Sequence, residues 1–193
     1  MNILFLHGMA SSHESPIAAS IRKHIPDATV WTPDLSINPA VAFPQIDEFL
    51  ATHDVDVIVG HSLGGFMAQK YRGRCKVLIN PSLGMTYMYL FQGDNKYKEK
   101  RNDGNQIWHV DKSMCQTYEE MEHVQYDNLT DDELRLTVGV FGKSDIMTRL
   151  SAHRFAKHYS NRVFMPGGHY PSDDAVRDYV VPAILSLKKQ SDQ

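Results

Sequence analysis

Three residues of this chain, Ser62, Asp145 and His169, have the types and the order that nucleophilic catalysis requires. A serine hydroxyl is a weak nucleophile at neutral pH, so a base must accept its proton and a third group must orient that base. Ser, Asp, His is one of the orders in which such a triad recurs along a chain. The set therefore predicts that Ser62 attacks an acyl carbon, with His169 as the base and Asp145 as the acid that orients it.

The segment around Ser62 predicts a sharp turn between a strand and a helix. The apolar, β-branched residues of Val55–Val59 indicate a buried strand, and a helical pattern begins near Phe66. Gly60 and Gly64 flank the serine in Gly-His-Ser-Leu-Gly, and a turn this tight favours glycine. This is the pattern of a nucleophile elbow. A plain glycine-rich turn is the alternative, whereas a phosphate-binding loop is disfavoured because no Gly-Lys-Ser/Thr follows.

His169 and Asp145 each follow a predicted strand. His169 comes after the strand Arg162–Met165 and two glycines, and Asp145 comes after the strand Leu134–Phe141 and a short turn. The carboxyl ends of parallel strands meet at one edge of a sheet, so both side chains are expected near the elbow. Capping of the next helix is the alternative role for Asp145. The other candidate acids are interpreted as residues of helix starts or loops, namely Asp131, Asp132, Asp173 and Asp174.

Acyl transfer also needs two hydrogen-bond donors aimed at the oxyanion that forms on the substrate. The backbone N–H of Leu63, directly after the serine, is the first candidate. The second is the N–H of Met9, in the loop after the first strand, where Gly8 allows the backbone to turn. A plain turn at His7–Gly8 is the alternative interpretation of that loop.

Strand and helix patterns alternate along the chain, which predicts a mostly parallel sheet of about six strands with helices on both faces. The predicted strands are Asn2–Leu6, Ala28–Thr32, Val55–Val59, Lys76–Asn80, Leu134–Phe141 and Arg162–Met165. The predicted helices run from Ser15 to about Ile25, from Pro44 to about Thr52, from about Thr148 to Ser160 and from about Val176 to Leu187, the last with a kink or restart at Pro182. We expect one α/β domain over residues 1–193.

The segment from Gly84 to Asp132 interrupts this alternation. It contains the aromatic and methionine-rich stretch Met85–Phe91, a polar stretch, and a predicted helix over Thr117–Tyr126. A long insertion in a small domain is usually functional or has structure of its own. We interpret residues 84–132 as a small cap or pocket wall over the strand ends, with one crossover helix plus padding as the alternative.

Composition excludes several classes of function. The net charge of -3 gives no electrostatic reason to expect binding to nucleic acid. The two cysteines have no paired spacing, and no His-Glu-x-x-His or Cys/His cluster occurs, so neither a disulfide framework nor a metal site is expected. No apolar run reaches the ~20 residues that span a bilayer. We expect a cytoplasmic protein without cofactors, and the sequence leaves the oligomeric state open.

Five motifs in order resemble those of the YqiA-like esterases, within the YqiA/YcfP group of α/β-hydrolases. They are LHGMASS after the first strand, GHSLGG at the elbow, then INPSL, GKSD and GGH. The resemblance covers nearly the whole chain and is weakest in residues 84–132. It implies a compact α/β-hydrolase fold, the roles given above for Ser62, Asp145 and His169, and Met9 and Leu63 as oxyanion donors. The chain departs from the family pattern after Asp145, where IMTRLSA replaces an acidic run, and at Tyr170.

Two functions follow as hypotheses. The first is a serine hydrolase that cleaves small or single-chain acyl esters or thioesters through an acyl-enzyme, because a compact chain leaves little room for a large lid. The second is a non-catalytic binding module that keeps the fold, since relatives in the wider group lack the nucleophile. The presence of the whole Ser-Asp-His set in this chain favours the hydrolase.

Overall fold

Six parallel strands form the central sheet of the computed structural model, which describes residues 1–191. The strands are β1 (Asn2–Leu6), β2 (Thr29–Trp31), β3 (Val57–His61), β4 (Cys75–Ile79), β7 (Thr137–Gly142) and β8 (Arg162–Met165). They lie in the order β2-β1-β3-β4-β7-β8. A separate antiparallel hairpin pairs β5 (Gly93–Lys96) with β6 (Ile107–Val110). The expectation of a mostly parallel six-stranded sheet is confirmed.

Helices cover both faces of the sheet, as the alternating pattern predicted. The helices are α1 (Pro16–His24), α2 (Pro39–Thr52), α3 (Leu63–Ala68), α4 (Lys112–Val124), α5 (Asp131–Arg135), α6 (Ser151–Ala156), α7 (Asp173–Ala175) and α8 (Val181–Ser191). A 3₁₀ helix spans Thr86–Phe91, and a π-helical turn spans Val176–Val180. Pro182, the expected point of a kink, is the second residue of α8, where its missing N–H breaks no bond within that helix.

Two hydrophobic clusters sandwich the sheet because successive residues of a strand point to opposite faces. Leu4 and Leu6 pack with residues of α2, α3, α4 and α6, whereas Ile3 and Phe5 pack with residues of α1 and α8. Residues of β1, β3 and β4 are almost entirely buried, as expected of strands covered on both sides. This rigid centre supports the loops at the carboxyl ends of the strands.

The structure moves two predicted element boundaries in particular and adds one hairpin. The second helix begins at Pro39 rather than Pro44, because Asn38 caps it by accepting a hydrogen bond from the Ala40 N–H at 3.0 Å. The strand predicted over Leu134–Phe141 begins at Thr137 instead, because Leu134 and Arg135 end the helix Asp131–Arg135, which Thr130 caps. The segment 84–132 contains a hairpin that the sequence analysis missed.

Candidate active site

Ser62 lies at the apex of the turn between β3 and α3, with φ 53° and ψ -116°. A non-glycine residue with this backbone conformation is strained, and it persists only when its surroundings hold it. Here the Ser62 N–H donates to the Ile79 carbonyl at 3.0 Å, and the Ser62 carbonyl accepts from the Ser82 N–H at 3.0 Å. The expected elbow is therefore present, and the end of β4 fixes it.

The glycines around Ser62 are explained by close backbone approach. A Cβ on Gly64 would overlap the carbonyl of Leu6, at the end of β1, and a Cβ on Gly60 would overlap the backbone of Gly64. The spacing Gly-x-Ser-x-Gly thus lets α3 start directly against the end of β1. The turn carries the serine side chain into the cavity described below.

The structure brings the three predicted residues together in one hydrogen-bonded relay. The His169 Nε2 atom lies 3.0 Å from Ser62 Oγ, and the His169 Nδ1 atom lies 3.0 Å from Asp145 Oδ2. Because a carboxylate only accepts, Nδ1 carries the hydrogen and Nε2 is free to accept from the serine hydroxyl. All atoms needed to pass a proton from Ser62 to His169 are in hydrogen-bond contact.

Asp145 is held as an ionised group. Its Oδ1 accepts from the backbone N–H groups of Met147 (2.8 Å) and Thr148 (3.1 Å), and the Thr148 hydroxyl donates to Oδ2. Burial alone would raise the pKa of Asp145, but the hydrogen bonds from His169 and Thr148 outweigh it and lower the pKa to about 2. The capping alternative is therefore compatible with the relay, because one oxygen binds the next turn and the other faces His169.

His61 and Asn80 support His169, a role that the sequence motifs do not predict for either residue. The Nε2–H of His61 donates to the His169 carbonyl at 2.9 Å, and the Asn80 Nδ2 donates to the same carbonyl at 2.8 Å. The Asn80 side-chain oxygen accepts from the Gly142 N–H at 2.7 Å, so one amide joins the loops that carry acid and base. A sequence signal existed for Asn80 alone, since asparagine is favoured at positive φ after a strand.

The backbone N–H groups of Met9 and Leu63 have no hydrogen-bond acceptor among residues 1–191. The Nδ1–H of His7 donates to the Gly8 carbonyl at 2.8 Å, and its Nε2 accepts from the Leu35 N–H at 2.9 Å. Gly8 O and Met9 N–H belong to one planar trans peptide and point in opposite directions, so His7 fixes the direction of the Met9 N–H. Burial lowers the pKa of His7 to about 4, which keeps the ring neutral.

Ser62 and His169 open into a cavity of about 560 Å³. Aromatic residues of the segment 84–132 form part of its wall, namely Tyr87, Phe91 and Trp108. Large apolar side chains surround the mouth with much of their surface exposed: Leu90 (83%), Ile146 (85%), Met147 (64%), Leu150 (59%) and Tyr170 (58%). A cavity of this size and lining accommodates a small, mainly apolar molecule.

Other candidate acids lie outside this relay. Asp173 binds Ser20, Lys23 and His24 instead, and Asp174 pairs with Arg177. Among the described residues, no three His, Cys, Asp or Glu side chains converge in a way that could hold a metal ion. None of the helices in residues 1–191 is both long and apolar enough to cross a bilayer.

The fold is that of the α/β-hydrolases, which solved structures match over almost the whole chain. An esterase domain of a Rhodothermus marinus protein superposes with a TM-score of 0.68 at 15% identity, covering 97% of this chain and 86% of that one. A structure from work on the metagenome-derived lipolytic enzymes LipS and LipT gives 0.67 at 12% identity, with 98% and 93% covered. A monoacylglycerol lipase from Paleococcus ferrophilus gives 0.61 at 12% identity, with 97% and 94% covered.

The chain belongs to the Uncharacterised protein family (UPF0227), whose model matches residues 2–136. This is the family of the YqiA-like proteins, so the resemblance inferred from the five motifs is confirmed. No curated protein matches the chain significantly in sequence.

Proposed function

We propose that this protein is a serine hydrolase that cleaves small or single-chain acyl esters or thioesters through an acyl-enzyme. The observation that carries the proposal is the relay from Asp145 through His169 to Ser62, with both contacts of the histidine ring at 3.0 Å. Ser62, at the end of this relay, lies on a strained turn and opens into a cavity, and both features are typical of a reacting serine. The esterase and lipase descriptions of the structural neighbours agree with this proposal.

The reaction follows from the contacts of the relay. Ser62 Oγ attacks the acyl carbon while His169 Nε2 takes its proton, and the alcohol or thiol then leaves with that proton. A water molecule next attacks the acyl-enzyme with His169 again as the base, which releases the acid and restores the serine. Asp145 remains ionised throughout and stabilises the imidazolium that forms in each half-reaction.

The oxyanion of each tetrahedral intermediate would be bound by the N–H groups of Met9 and Leu63. Neither amide has a competing acceptor among the described residues, and Leu63 is the first residue of α3, where an N–H has no partner within the helix. Donors that are already oriented need no reorganisation when charge develops on the substrate. His7 supplies that orientation for Met9.

The segment 84–132 would form the wall of the acyl pocket, through Tyr87, Phe91 and Trp108. A cavity of about 560 Å³ favours a short or single acyl chain. We expect Phe91→Ala to shift the preferred chain length upward in a panel of esters of graded length, because it enlarges the apolar wall. If kcat/KM depends on chain length in the same way in both proteins, the alternative is favoured that residues 84–132 are one crossover helix plus padding, with no part in the acyl pocket.

A fluorophosphonate probe tests the proposal directly. We expect it to label Ser62 in the wild-type protein and to leave folded Ser62→Ala unlabelled, with loss of ester hydrolysis. Ser82→Ala is the matched control, because the Ser82 hydroxyl lies 3.2 Å from Ser62 Oγ and is the nearest rival nucleophile. If well-folded wild-type protein is neither labelled nor active on any ester or thioester, the hypothesis of a non-catalytic binding module is favoured.

A further inference from the structure

The large apolar side chains that the fold leaves most exposed gather around one place, the mouth of the Ser62 cavity. The four most exposed among the described residues all line that cavity, and we call them the mouth cluster: Leu90, Ile146, Met147 and Leu150. Single exposed apolar residues are ordinary on a protein surface, whereas a group of them marks a surface that contacts another molecule. The mouth cluster therefore requires an occupant.

Contact with a small substrate does not account for the mouth cluster. An ester inside the cavity meets side chains that are buried or half-buried, such as Tyr87, Phe91 and Trp108. The side chains of the mouth cluster instead keep most of their surface in contact with solvent. Only a body larger than the cavity could cover that apolar surface.

Basic groups accompany the mouth cluster. Lys98 and Arg149 are exposed, line the same cavity and have no carboxylate within ion-pair distance among residues 1–191. The third cation of the lining, Arg154, is paired with Glu122, and the one carboxylate of the lining is Glu99. The mouth is therefore positive although the chain as a whole has a net charge of -3. A local excess of positive charge attracts an anionic surface.

Tyr170 connects the apolar and the charged parts of the mouth. Its side chain is more than half exposed, and its hydroxyl accepts a hydrogen bond from Lys98 Nζ at 3.4 Å. The same Nζ atom lies 5.2 Å from the centroid of the Tyr170 ring. Tyrosine and lysine each combine an apolar body with a polar tip, which suits the boundary between hydrocarbon and water.

We propose that the mouth cluster, together with Lys98 and Arg149, docks on the surface of a bilayer that carries anionic lipid headgroups. The apolar side chains would enter the boundary between headgroups and acyl chains, and the two cations would bind headgroup phosphates. A protein partner or a second copy of the chain would cover the entrance to Ser62, whereas a lipid surface supplies single-chain esters to it. That exclusion rests on the proposed hydrolase function, but docking itself requires no catalysis.

Flotation of the full chain with lipid vesicles tests the charged part of the docking surface. Vesicles of phosphatidylcholine alone are compared with vesicles of equal parts phosphatidylcholine and phosphatidylglycerol. We expect wild-type and Ser62→Ala protein to bind the mixed vesicles equally and more tightly than phosphatidylcholine, and high salt to remove the difference. Lys98→Gln and Arg149→Gln should each weaken binding to the mixed vesicles by about fivefold and leave binding to phosphatidylcholine unchanged.

Substitutions in the mouth cluster test its apolar part. Leu90→Ser and Ile146→Ser should each weaken binding to both kinds of vesicle by about tenfold, because each removes apolar area that the bilayer would bury. Val124→Ser is the matched control, since Val124 is comparably exposed on α4 and does not line the Ser62 cavity. Lys112→Gln, at the exposed start of α4, is the control for charge. Both controls should bind like wild type.

Four outcomes would overturn the inference or part of it. Wild-type protein that binds neither kind of vesicle, or a loss in Leu90→Ser and Ile146→Ser no larger than in Val124→Ser, would overturn it. A dimer that Leu90→Ser dissociates in sedimentation equilibrium would show that a second copy covers the mouth cluster instead. Equal binding to both kinds of vesicle would overturn the assignment to an anionic surface.

The vesicle assay also separates failure of this inference from failure of the hydrolase proposal. Protein that binds the mixed vesicles but is neither labelled by a fluorophosphonate nor active would refute the hydrolase alone. Protein that is labelled and active but binds no vesicle would refute the docking alone.

Discussion

Two glutamates, the buried Glu133 and the half-buried Glu99, lie in opposite parts of the fold and differ completely in their partners. Glu133 is 1% exposed, near the amino ends of β4 and β7, and pairs with Lys76, which is fully buried. It also accepts from the Gly73 N–H at 2.9 Å and from the Tyr159 hydroxyl at 3.3 Å. Glu99 lines the cavity at the carboxyl ends of the strands and has no partner among the described residues.

A buried charge is therefore not by itself a sign of function. A desolvated carboxylate must be paired or it is costly, and the fold supplies every partner of Glu133 from its own chain. That cluster is therefore structural and joins α5 to β4. Glu99 is only half-buried, so the fold tolerates it without a partner among the described residues. Asp145 is intermediate, because one oxygen is bound by its own loop and the other by His169.

After Ser62 itself, the largest effect on activity is expected at Asp145. Asp145→Asn keeps the shape of the side chain but favours the wrong imidazole tautomer of His169, and a comparable change in a known triad costs about 10⁴ in kcat. Single-turnover and steady-state rates on a simple ester would measure the loss. Asp173→Asn is the matched control, since Asp173 binds Ser20 and Lys23, and it should lose only a few-fold. The reverse ranking of the two variants would refute our assignment of the acid.

The largest effect on stability is expected where the structural pair is broken. Lys76→Met removes the buried cation of Glu133 and leaves only Arg72, 3.5 Å away, which should lower the free energy of unfolding by about 3–5 kcal/mol in urea titrations. The double variant Lys76→Met/Glu133→Leu should recover most of that loss, because no charge remains buried. Equal stability of the single and double variants would mean that the pair does not act as a unit.

Acid should destabilise the protein through its buried histidines. Burial lowers the pKa of His61 to about 3 and of His7 to about 4, from an ordinary value of 6.5. Below pH 6.5 the histidines of the unfolded chain bind protons, whereas His61 and His7 of the native state do not. The free energy of unfolding is therefore unaffected by these histidines above pH 6.5 and declines from there toward pH 4. Each histidine contributes up to about 1.4 kcal/mol per pH unit. His61→Gln keeps a donor for the His169 carbonyl and should show a shallower pH dependence; an identical slope would contradict this account.

The smallest effect on stability is expected at Glu99. Glu99→Met removes a carboxylate that the fold does not pair, so the free energy of unfolding should change by less than about 1 kcal/mol or rise slightly. The contrast with Lys76→Met is the test, since that variant removes a charge from a fully buried pair and Glu99→Met removes one from a half-buried, unpaired site. A loss at Glu99 as large as the loss at Lys76 would indicate a structural role for Glu99.

The sequence predicted the parts of this molecule that depend on local chemistry. The elbow, the order of the three site residues and the central strands follow from glycine spacing, turns and β-branched runs. The β5–β6 hairpin could not be predicted in this way, because Gly-Asp-Asn-Lys has low strand propensity and tertiary contacts decide its pairing. The roles of His7 and His61 were missed because their burial depends on segments distant in the chain, such as Leu35 and His169.

The hydrogen bond between the Lys98 N–H and the Ala10 carbonyl has a consequence for engineering. Residues 93–110 cannot be exchanged as an independent specificity module, because the backbone that shapes the pocket also braces the loop holding the Met9 amide. A transplanted hairpin that loses this one bond would be expected to lower kcat even when the new substrate binds well. Directed evolution of new substrate preferences should therefore vary side chains on the hairpin and leave the backbone N–H of Lys98 in place.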